Sequence, residues 1–174
     1  MYQKNDRVIC GGKGVCSVED ITTLNMPGID KEREYYILKP LYMASSTVYI
    51  PVDAAQDSLR DVLSKDEAEE LIQAIPSIPM ITISNDKMLE QEYRLCMKAN
   101  RCDEWIKVIK TIFMRKRRRL EAGRKVTAVD AKYYKLAEDN LYGELAVALG
   151  MPKESVEAYI TGEIEKRTEE PAIL

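Results

Sequence analysis

The hydrophobic pattern of the chain changes once, near Leu63, and that change constrains the fold more than any other feature of the sequence. Before Leu63, short runs rich in Val, Ile, Tyr and Thr alternate with turn residues, a pattern typical of antiparallel strands. After it, apolar residues recur at helical spacing behind the capping-box sequence Ser64-Lys-Asp-Glu67. The 174 residues are therefore predicted to form an α+β protein with two domains.

The strand-like part predicts a small antiparallel β-barrel. Short, closely spaced strands separated by turn residues are typical of that architecture. The predicted strands are RVIC, GVCSVEDI, REYYILKP, STVYIPV and the shorter LRDVL.

The rest of the chain predicts an all-α helical bundle. Helices are expected around 89–97, around 105–113, from the capping box at Thr127 to a stop at Gly150 and Pro152, and over 153–165. We place the first domain at 1–75, an extended linker at 76–85, the helical domain at 86–165 and a frayed tail at 166–174. Trp105 shares an apolar face with its helical neighbours, which predicts a core position.

The glycine-rich stretch GGKG, residues 11–14, suggests a phosphate-binding loop at first sight. Such a loop needs a hydroxyl residue directly after its lysine and a helix after that. Here Gly14 follows Lys13, and the next residues are strand-like. We therefore interpret GGKG as a hairpin turn.

The sequence contains no histidine, which excludes catalytic systems and zinc sites that depend on imidazole. Its four cysteines, Cys10, Cys16, Cys96 and Cys102, form two pairs with a spacing unlike that of zinc ribbons. A four-cysteine zinc site is arithmetically possible, but buried reduced thiols are favoured. We predict no enzyme, no cofactor and no small-molecule substrate.

No run of residues is apolar over the length of a membrane span, and the N-terminus lacks the apolar region of a signal peptide. A cytoplasmic protein with no membrane partner, and a monomer, is expected.

Charge is strongly segregated along the chain. The net charge is −5 over residues 1–84, +7 over 85–126 and −5 over 127–174. A basic run closes the helix that contains Trp105 and exceeds what the negative end of a helix requires. It predicts a patch that binds phosphates without reading sequence. Its members are Arg115, Lys116, Arg117, Arg118, Arg119, Arg124 and Lys125.

The order and spacing of several segments resemble the CarD/CdnL family of bacterial RNA-polymerase-binding transcription regulators. The first domain is also similar to the polymerase-interacting domain of the transcription-repair coupling factor. The similarity covers about residues 3–150. The segments are NDRVI with GVCSVEDI, EYYILK, TVYIPV, LRDVLSKDEAEELI and LYGELA.

The resemblance implies a Tudor-like barrel that docks on the lobe or protrusion of the polymerase β subunit by adding a strand edge. The residues that match the docking segment are Thr47, Val48, Tyr49, Ile50 and Pro51, with Leu24 beside them. Some members carry arginines where this sequence has Leu24 and Tyr49.

The resemblance also implies that the helical domain contacts promoter DNA at the edge of the melted bubble and inserts a tryptophan wedge in the minor groove. The matching wedge position here is Met88 or Leu89, since Trp105 lies too far along the chain. Apolar Met or Leu can also act as a wedge. Arg94, Lys98 and the basic run would supply phosphate contacts, although Glu90 and Glu92 stand where basic residues would help.

The leading hypothesis is a CarD-like regulator that modulates transcription initiation through the stability of the open complex. The alternative is a protein-interaction barrel fused to a basic helical module that binds nucleic acid and has no part in promoter opening.

Overall fold

The computed structural model describes residues 1–43, 45–82 and 85–167, and it divides into two compact units. The first unit, Met1–Val62, contains the strands, and the second begins at Leu63 and contains the α-helices. The α+β prediction is confirmed. The division falls after Val62, whereas the predicted first domain extends to residue 75. Most of the predicted tail, from residue 168 onward, lies outside the described residues.

The first unit contains one antiparallel sheet of five strands in the order β4-β3-β2-β1-β5. All five predicted strands are present. The strands are β1 (Arg7–Cys10), β2 (Gly14–Thr23), β3 (Glu34–Pro40), β4 (Val48–Pro51) and β5 (Leu59–Asp61).

The sheet does not close into the predicted barrel. Within the described residues, β4 and β5 form opposite edges and do not pair with each other. The edge strands have only four and three residues, which leaves little backbone for a closing seam.

GGKG forms the predicted hairpin turn between β1 and β2. Cys10 pairs with Gly14 across the turn, and the Lys13 N–H donates to the Cys10 carbonyl at 2.9 Å. Gly12 has a φ of +73°, a left-handed conformation that strains other residues. No helix starts here, so the phosphate-loop interpretation is excluded.

One face of the sheet carries the core of the first unit. Paired residues on neighbouring strands share a face, and side chains alternate along each strand. The buried set is Val8, Cys10, Cys16, Val18, Tyr36, Leu38, Ala55 and Leu59, with Val48 and Ile50 packed against it.

The second unit contains five α-helices, and within the described residues none is both long and apolar enough to cross a bilayer. As predicted, a left-handed Gly150 ends the fourth. The helices are α1 (Lys65–Ala74), α2 (Leu89–Lys98), α3 (Cys102–Glu121), α4 (Ala128–Leu149) and α5 (Lys153–Glu165).

Helix α1 belongs to the helical unit because it packs on α4 and α5. Its predicted capping box is complete: the Glu67 N–H donates to the Ser64 hydroxyl, and the Ser64 N–H donates to the Glu67 carboxylate. Leu63, the first residue of the helical unit, also has a hydrogen-bond partner within the unit. The Leu63 N–H donates to Oε1 of the fully buried Glu144 at 3.1 Å.

Helices α3 and α4 form the centre of the helical unit and contact each other extensively. Trp105 is fully buried on α3, so its predicted core position is confirmed. The neighbouring fully buried residues are Ile106, Ile109 and Ile112 on α3 and Leu141 and Leu145 on α4.

The chain between α1 and α2, predicted as a linker, is fastened to α3. The buried Lys110 ammonium donates to the carbonyl oxygens of Ile75, Pro76 and Ile78 at 2.9, 3.2 and 2.6 Å. The Ile81 N–H donates to the Thr111 hydroxyl at 2.9 Å. Lys110 thereby binds carbonyls of the short 3-10 turn that follows α1, including that of Ile75, which also accepts from the Ile78 N–H at 3.1 Å.

Replacing Lys110 with Met should destabilise the helical unit by about 1–3 kcal/mol, because three carbonyls would lose a shared donor. Burial lowers the pKa of Lys110, and the loss of that unfavourable buried charge offsets part of the effect. Lys107→Met on the same helix is the control. It removes only a partly exposed ion pair with Glu104 and should cost less than about 1 kcal/mol. Urea unfolding of both variants measures the difference; equal stabilities would contradict the role of Lys110.

Candidate functional site

Strand β4 is an edge of the sheet, so one side of its backbone is not used by the sheet. Its other side pairs with β3, where Leu38 lies opposite Val48 and Ile37 lies opposite Tyr49. Val48 and Ile50 face the core, and Tyr49 between them faces outward with 43% of its surface exposed. The edge therefore combines free backbone groups with one large exposed side chain.

A buried aromatic ring and an exposed ion pair lie on the same side of the sheet as Tyr49. Tyr35 lies opposite Pro51, and the Arg33 guanidinium lies 6.0 Å from the centre of the Tyr35 ring. Arg33 also forms an ion pair with Asp53 at 2.6 Å, which lowers the pKa of that carboxyl. Both members are exposed, so the pair orients side chains more than it stabilises the fold.

Exposed apolar side chains also occur in the connection between β3 and β4. Leu41, Tyr42 and Met43 each expose more than a third of their surface. A monomer seldom places several large apolar groups in one exposed segment without a binding role. The connection before β4 therefore presents exposed apolar side chains in addition to Tyr49 on the strand itself.

Leu24 does not belong to that exposed region. It follows β2, and only 8% of its surface is exposed. The structure brings Val48, Tyr49, Ile50 and Pro51 together on one strand, with the exposed Thr47 directly before it, and leaves Leu24 buried.

The basic run occupies the end of α3, beyond the last buried residue of that helix, Ile112. Lys116, Arg117 and Arg118 are exposed. Successive helical residues point about 100° apart, so these charges surround the helix end rather than line one face. A polyanion could approach this end from several directions.

Several members of the basic run have partners near the helix end. Arg117 forms an ion pair with Glu121 at 3.0 Å, and the Arg119 Nε donates to the Lys125 carbonyl at 2.8 Å. Arg124 and Lys125 are exposed in the connection to α4. Arg119 therefore helps to hold that connection in place.

Arg115 differs from the rest of the run. Its side chain is only 20% exposed and contacts two carboxylates. Nη1 lies 3.1 Å from Asp86, and Nε lies 3.4 Å from Asp130. The structure thus places Arg115 inside the helical unit, in a short chain of charges.

Of the two wedge candidates, only Met88 is on the surface. Met88 exposes 43% of its surface in a 3-10 turn, Asp86–Met88, whereas Leu89 begins α2 and is 5% exposed. Arg94 and Lys98 are exposed on α2, and Arg94 lies 3.6 Å from Glu90. The Asp86 contact with Arg115 joins this turn to the beginning of the basic run.

Asp130 connects three helices of the unit although it is fully buried. Its Oδ1 accepts a hydrogen bond from the Tyr93 hydroxyl at 3.0 Å, and its Oδ2 faces Arg115. Its N–H donates to Thr127 as predicted for a helix start, but its carboxylate does not complete the capping box. Burial, and then this carboxylate, raise the pKa of Tyr93 well above its ordinary value.

The four cysteines are divided equally between the two units. Cys10 and Cys16 lie in the sheet, whereas Cys96 and Cys102 lie on α2 and α3, and none forms a disulfide. Burial and the nearby Glu104 raise the pKa of Cys96 to about 12, which disfavours the thiolate that binds metals. In the described part of the chain, no cluster of Cys, Asp or Glu could hold a metal ion.

Residues 2–63 match the model of a family described as the CarD-like/TRCF RID domain. The N-terminal unit is a CarD-like/TRCF RID domain. That family is a non-catalytic one of RNA-polymerase-interacting domains in transcription-related proteins. The match ends at residue 63, one residue beyond the strand unit, so every α-helix of the described chain lies outside it. No curated protein matches the chain.

Sequence reasoning missed the polar residues that organise the helical unit. Asp86, Tyr93, Lys110 and Asp130 have side-chain partners far along the chain, which local patterns do not show. The sequence does mark Asp130 as an acid at the third position of a capped helix. That position predicts a capping interaction and does not predict a buried carboxylate.

Tyr93 should make stability depend on pH in the alkaline range. Its pKa is raised on folding, so its contribution is complete below about pH 10 and is lost as the pH rises further. Tyr93→Phe should flatten the decline of unfolding free energy above pH 10 by about 1.4 kcal/mol per pH unit. Urea unfolding of the wild type and of Tyr93→Phe, repeated at several pH values between about 8 and 11, measures both slopes. Identical slopes would show that burial and Asp130 do not raise the pKa of Tyr93.

Proposed function

We propose that this protein is a CarD-like transcription regulator. It binds the β subunit of bacterial RNA polymerase through the β4 edge, touches promoter DNA through its helical unit and changes initiation without chemistry of its own. One observation carries the proposal: the unit that matches a polymerase-interacting family has a free edge strand with an exposed aromatic residue at its centre.

Strand addition is the mode of binding that this edge favours. An extended segment of the partner would hydrogen-bond to the free backbone side of β4, and side chains that alternate along the strand would supply specificity. Because β4 has four residues, backbone bonds alone give little affinity. Tyr49 would provide the central apolar anchor, as aromatic residues commonly do in interfaces.

The helical unit would contact DNA through charge and shape rather than sequence. Residues 85–126 carry a net charge of +7, and the end of α3 is exposed around its circumference. Such a surface binds phosphates with an affinity that falls steeply with salt. Of the two wedge candidates, Met88 is the exposed one, and it would supply the side chain that enters the minor groove.

Attachment to polymerase would make a weak DNA contact effective. A tethered module meets its second site at an effective concentration of about millimolar, so non-specific affinity suffices when the promoter is already bound. The helical unit would then favour the state of the complex that offers it the best DNA contact, which is a route to altered open-complex stability. The regulator acts as a monomer and needs no cofactor in this scheme.

The alternative function is a protein-interaction domain joined to a nucleic-acid-binding module with no role at promoters. The observation that favours it is that the family match covers only residues 2–63 and leaves the helical unit out. It predicts nucleic-acid binding without any affinity for polymerase.

Tyr49→Asp should weaken binding of the two-unit protein to polymerase, and to the isolated β lobe, by about tenfold or more. The substitution places a charge at the centre of the strand contact, and tenfold corresponds to about 1.4 kcal/mol. Tyr49 faces outward, so the thermal midpoint should stay near that of the wild type.

Leu120→Asp is the matched control, since it makes a similar change at an exposed position on α3 in the helical unit. It should leave the affinity for the β lobe unchanged. Equal affinity of wild type and Tyr49→Asp would contradict docking through β4. Absence of binding by the folded wild type would favour the alternative function.

Replacing Lys116, Arg117 and Arg118 together with Gln should lower the affinity for duplex DNA and flatten its dependence on salt. The logarithmic slope should fall by as much as about 2.7 if three phosphate contacts are lost. Fluorescence anisotropy across a salt series measures it. A triple Gln variant at the exposed Lys4, Lys13 and Lys31 removes the same charge from the other unit and should change the slope less. Equal slopes in the two variants would show that the α3 end does not bind phosphates.

A further inference from the structure

Arg115 lies within the basic run, yet its surroundings are unlike those of a phosphate-binding arginine. Two carboxylates face its guanidinium, Asp86 at 3.1 Å and Asp130 at 3.4 Å, and four-fifths of its side-chain surface is covered. A phosphate would have to compete with both acids for a group that is already paired. The charge of Arg115 is therefore used inside the protein.

One side of this arrangement is fixed and the other lies at the surface. Asp130 is fully buried and is held by the Tyr93 hydroxyl at 3.0 Å, so Arg115 has a rigid anchor. The side chain of Asp86 is 79% exposed and belongs to the turn before α2. The ion pair between Arg115 and Asp86 thus attaches an exposed turn to α3, which is itself bonded to α4 through Asp130.

That turn presents Met88. The Asn85 side chain accepts a hydrogen bond from the Lys87 N–H at 2.9 Å, and the Met88 N–H donates to the Asn85 carbonyl at 2.9 Å. The next residue, Leu89, is buried and anchors the start of α2. Asp86 is the residue of the turn whose side chain ties it to a different helix.

We propose that Arg115 is a positioning residue for DNA binding, which holds the Asp86–Met88 turn so that Met88 is presented to DNA. This inference rests on the proposed DNA contact of the helical unit. If Arg115 positions the turn, it is not one of the residues that contact phosphates. Asp86, although it is an acid beside a DNA-binding surface, then favours DNA binding.

The sign of the effect of Asp86→Asn distinguishes positioning from simple electrostatics. Removing an acid near a polyanion strengthens binding if only charge matters, and it frees Arg115 to contact phosphate, which steepens the salt slope. If Asp86 positions the turn, the same change weakens binding and leaves the slope unchanged. Asp86 is exposed, so the variant keeps the buried pair of Asp130 and Arg115 intact, which Arg115→Gln would not.

The experiment uses the protein with both units and measures affinity for duplex DNA between about 50 and 200 mM salt. The variants are Asp86→Asn, Met88→Ala and the double variant. We expect Asp86→Asn to bind about threefold to fivefold more weakly at every salt concentration, since a partly exposed ion pair is worth up to about 1 kcal/mol. In the Met88→Ala background it should have no further effect, because both changes act through the same side chain. Stronger binding, or a steeper slope, overturns the proposal.

Hydrogen exchange provides a second measurement that does not depend on DNA. The Lys87 and Met88 amides should exchange up to about fivefold faster in Asp86→Asn than in the wild type. Unchanged exchange overturns the proposal by showing that the ion pair does not hold the turn. Faster exchange in Asp86→Asn, together with a wild-type protein that binds no DNA at low salt, overturns it differently: the ion pair then holds the turn, but the proposed DNA contact fails.

Discussion

Three polar side chains on one stretch of α3 determine how the helical unit is assembled. The Lys110 ammonium donates to three carbonyls just after α1, and the Thr111 hydroxyl accepts from the Ile81 N–H. Arg115 forms an ion pair with Asp86 in the turn before α2. Without them, polar groups of the chain between α1 and α2 would lose their partners in or near the core, which is costly. The apolar face of the same helix, around Trp105, supplies the core itself. The two faces of α3 therefore perform different tasks, and its last turns remain available to other molecules.

Local pattern predicted the secondary structure well because each signal has a local physical cause. β-branched and aromatic runs marked the strands, and Gly150 ended α4 in the left-handed conformation that glycine tolerates. Pattern could not assign α1 to a unit, since its amphipathic spacing is compatible with packing on a sheet or on helices. It also could not predict whether the sheet closes. The strands β4 and β5 are neighbours in the sequence, joined by Val52–Asp57, but they form opposite edges of the sheet, and local pattern does not show whether two edges pair.

The candidate sites were predictable to different degrees. The period of two along a strand places Tyr49 outward between Val48 and Ile50 once β4 is assigned. Helical periodicity shows which of Met88 and Leu89 is exposed only when the exact first residue of α2 is known. Arg115 could not be separated from its basic neighbours, because the acids that pair with it lie 29 and 15 residues away. Leu24 was placed by resemblance alone, and its burial follows from the packing of the sheet unit.

The shortness of β4 has a consequence for how long any partner can stay attached. A strand of four residues that ends at Pro51, which has no N–H, offers only a few backbone hydrogen bonds along its free side. Small interfaces lose their affinity mainly through rapid dissociation. In the proposed docking, occupancy of this edge would be governed by the concentrations of the two molecules, and a competing strand would displace the first. Such a contact suits exchange rather than permanent assembly.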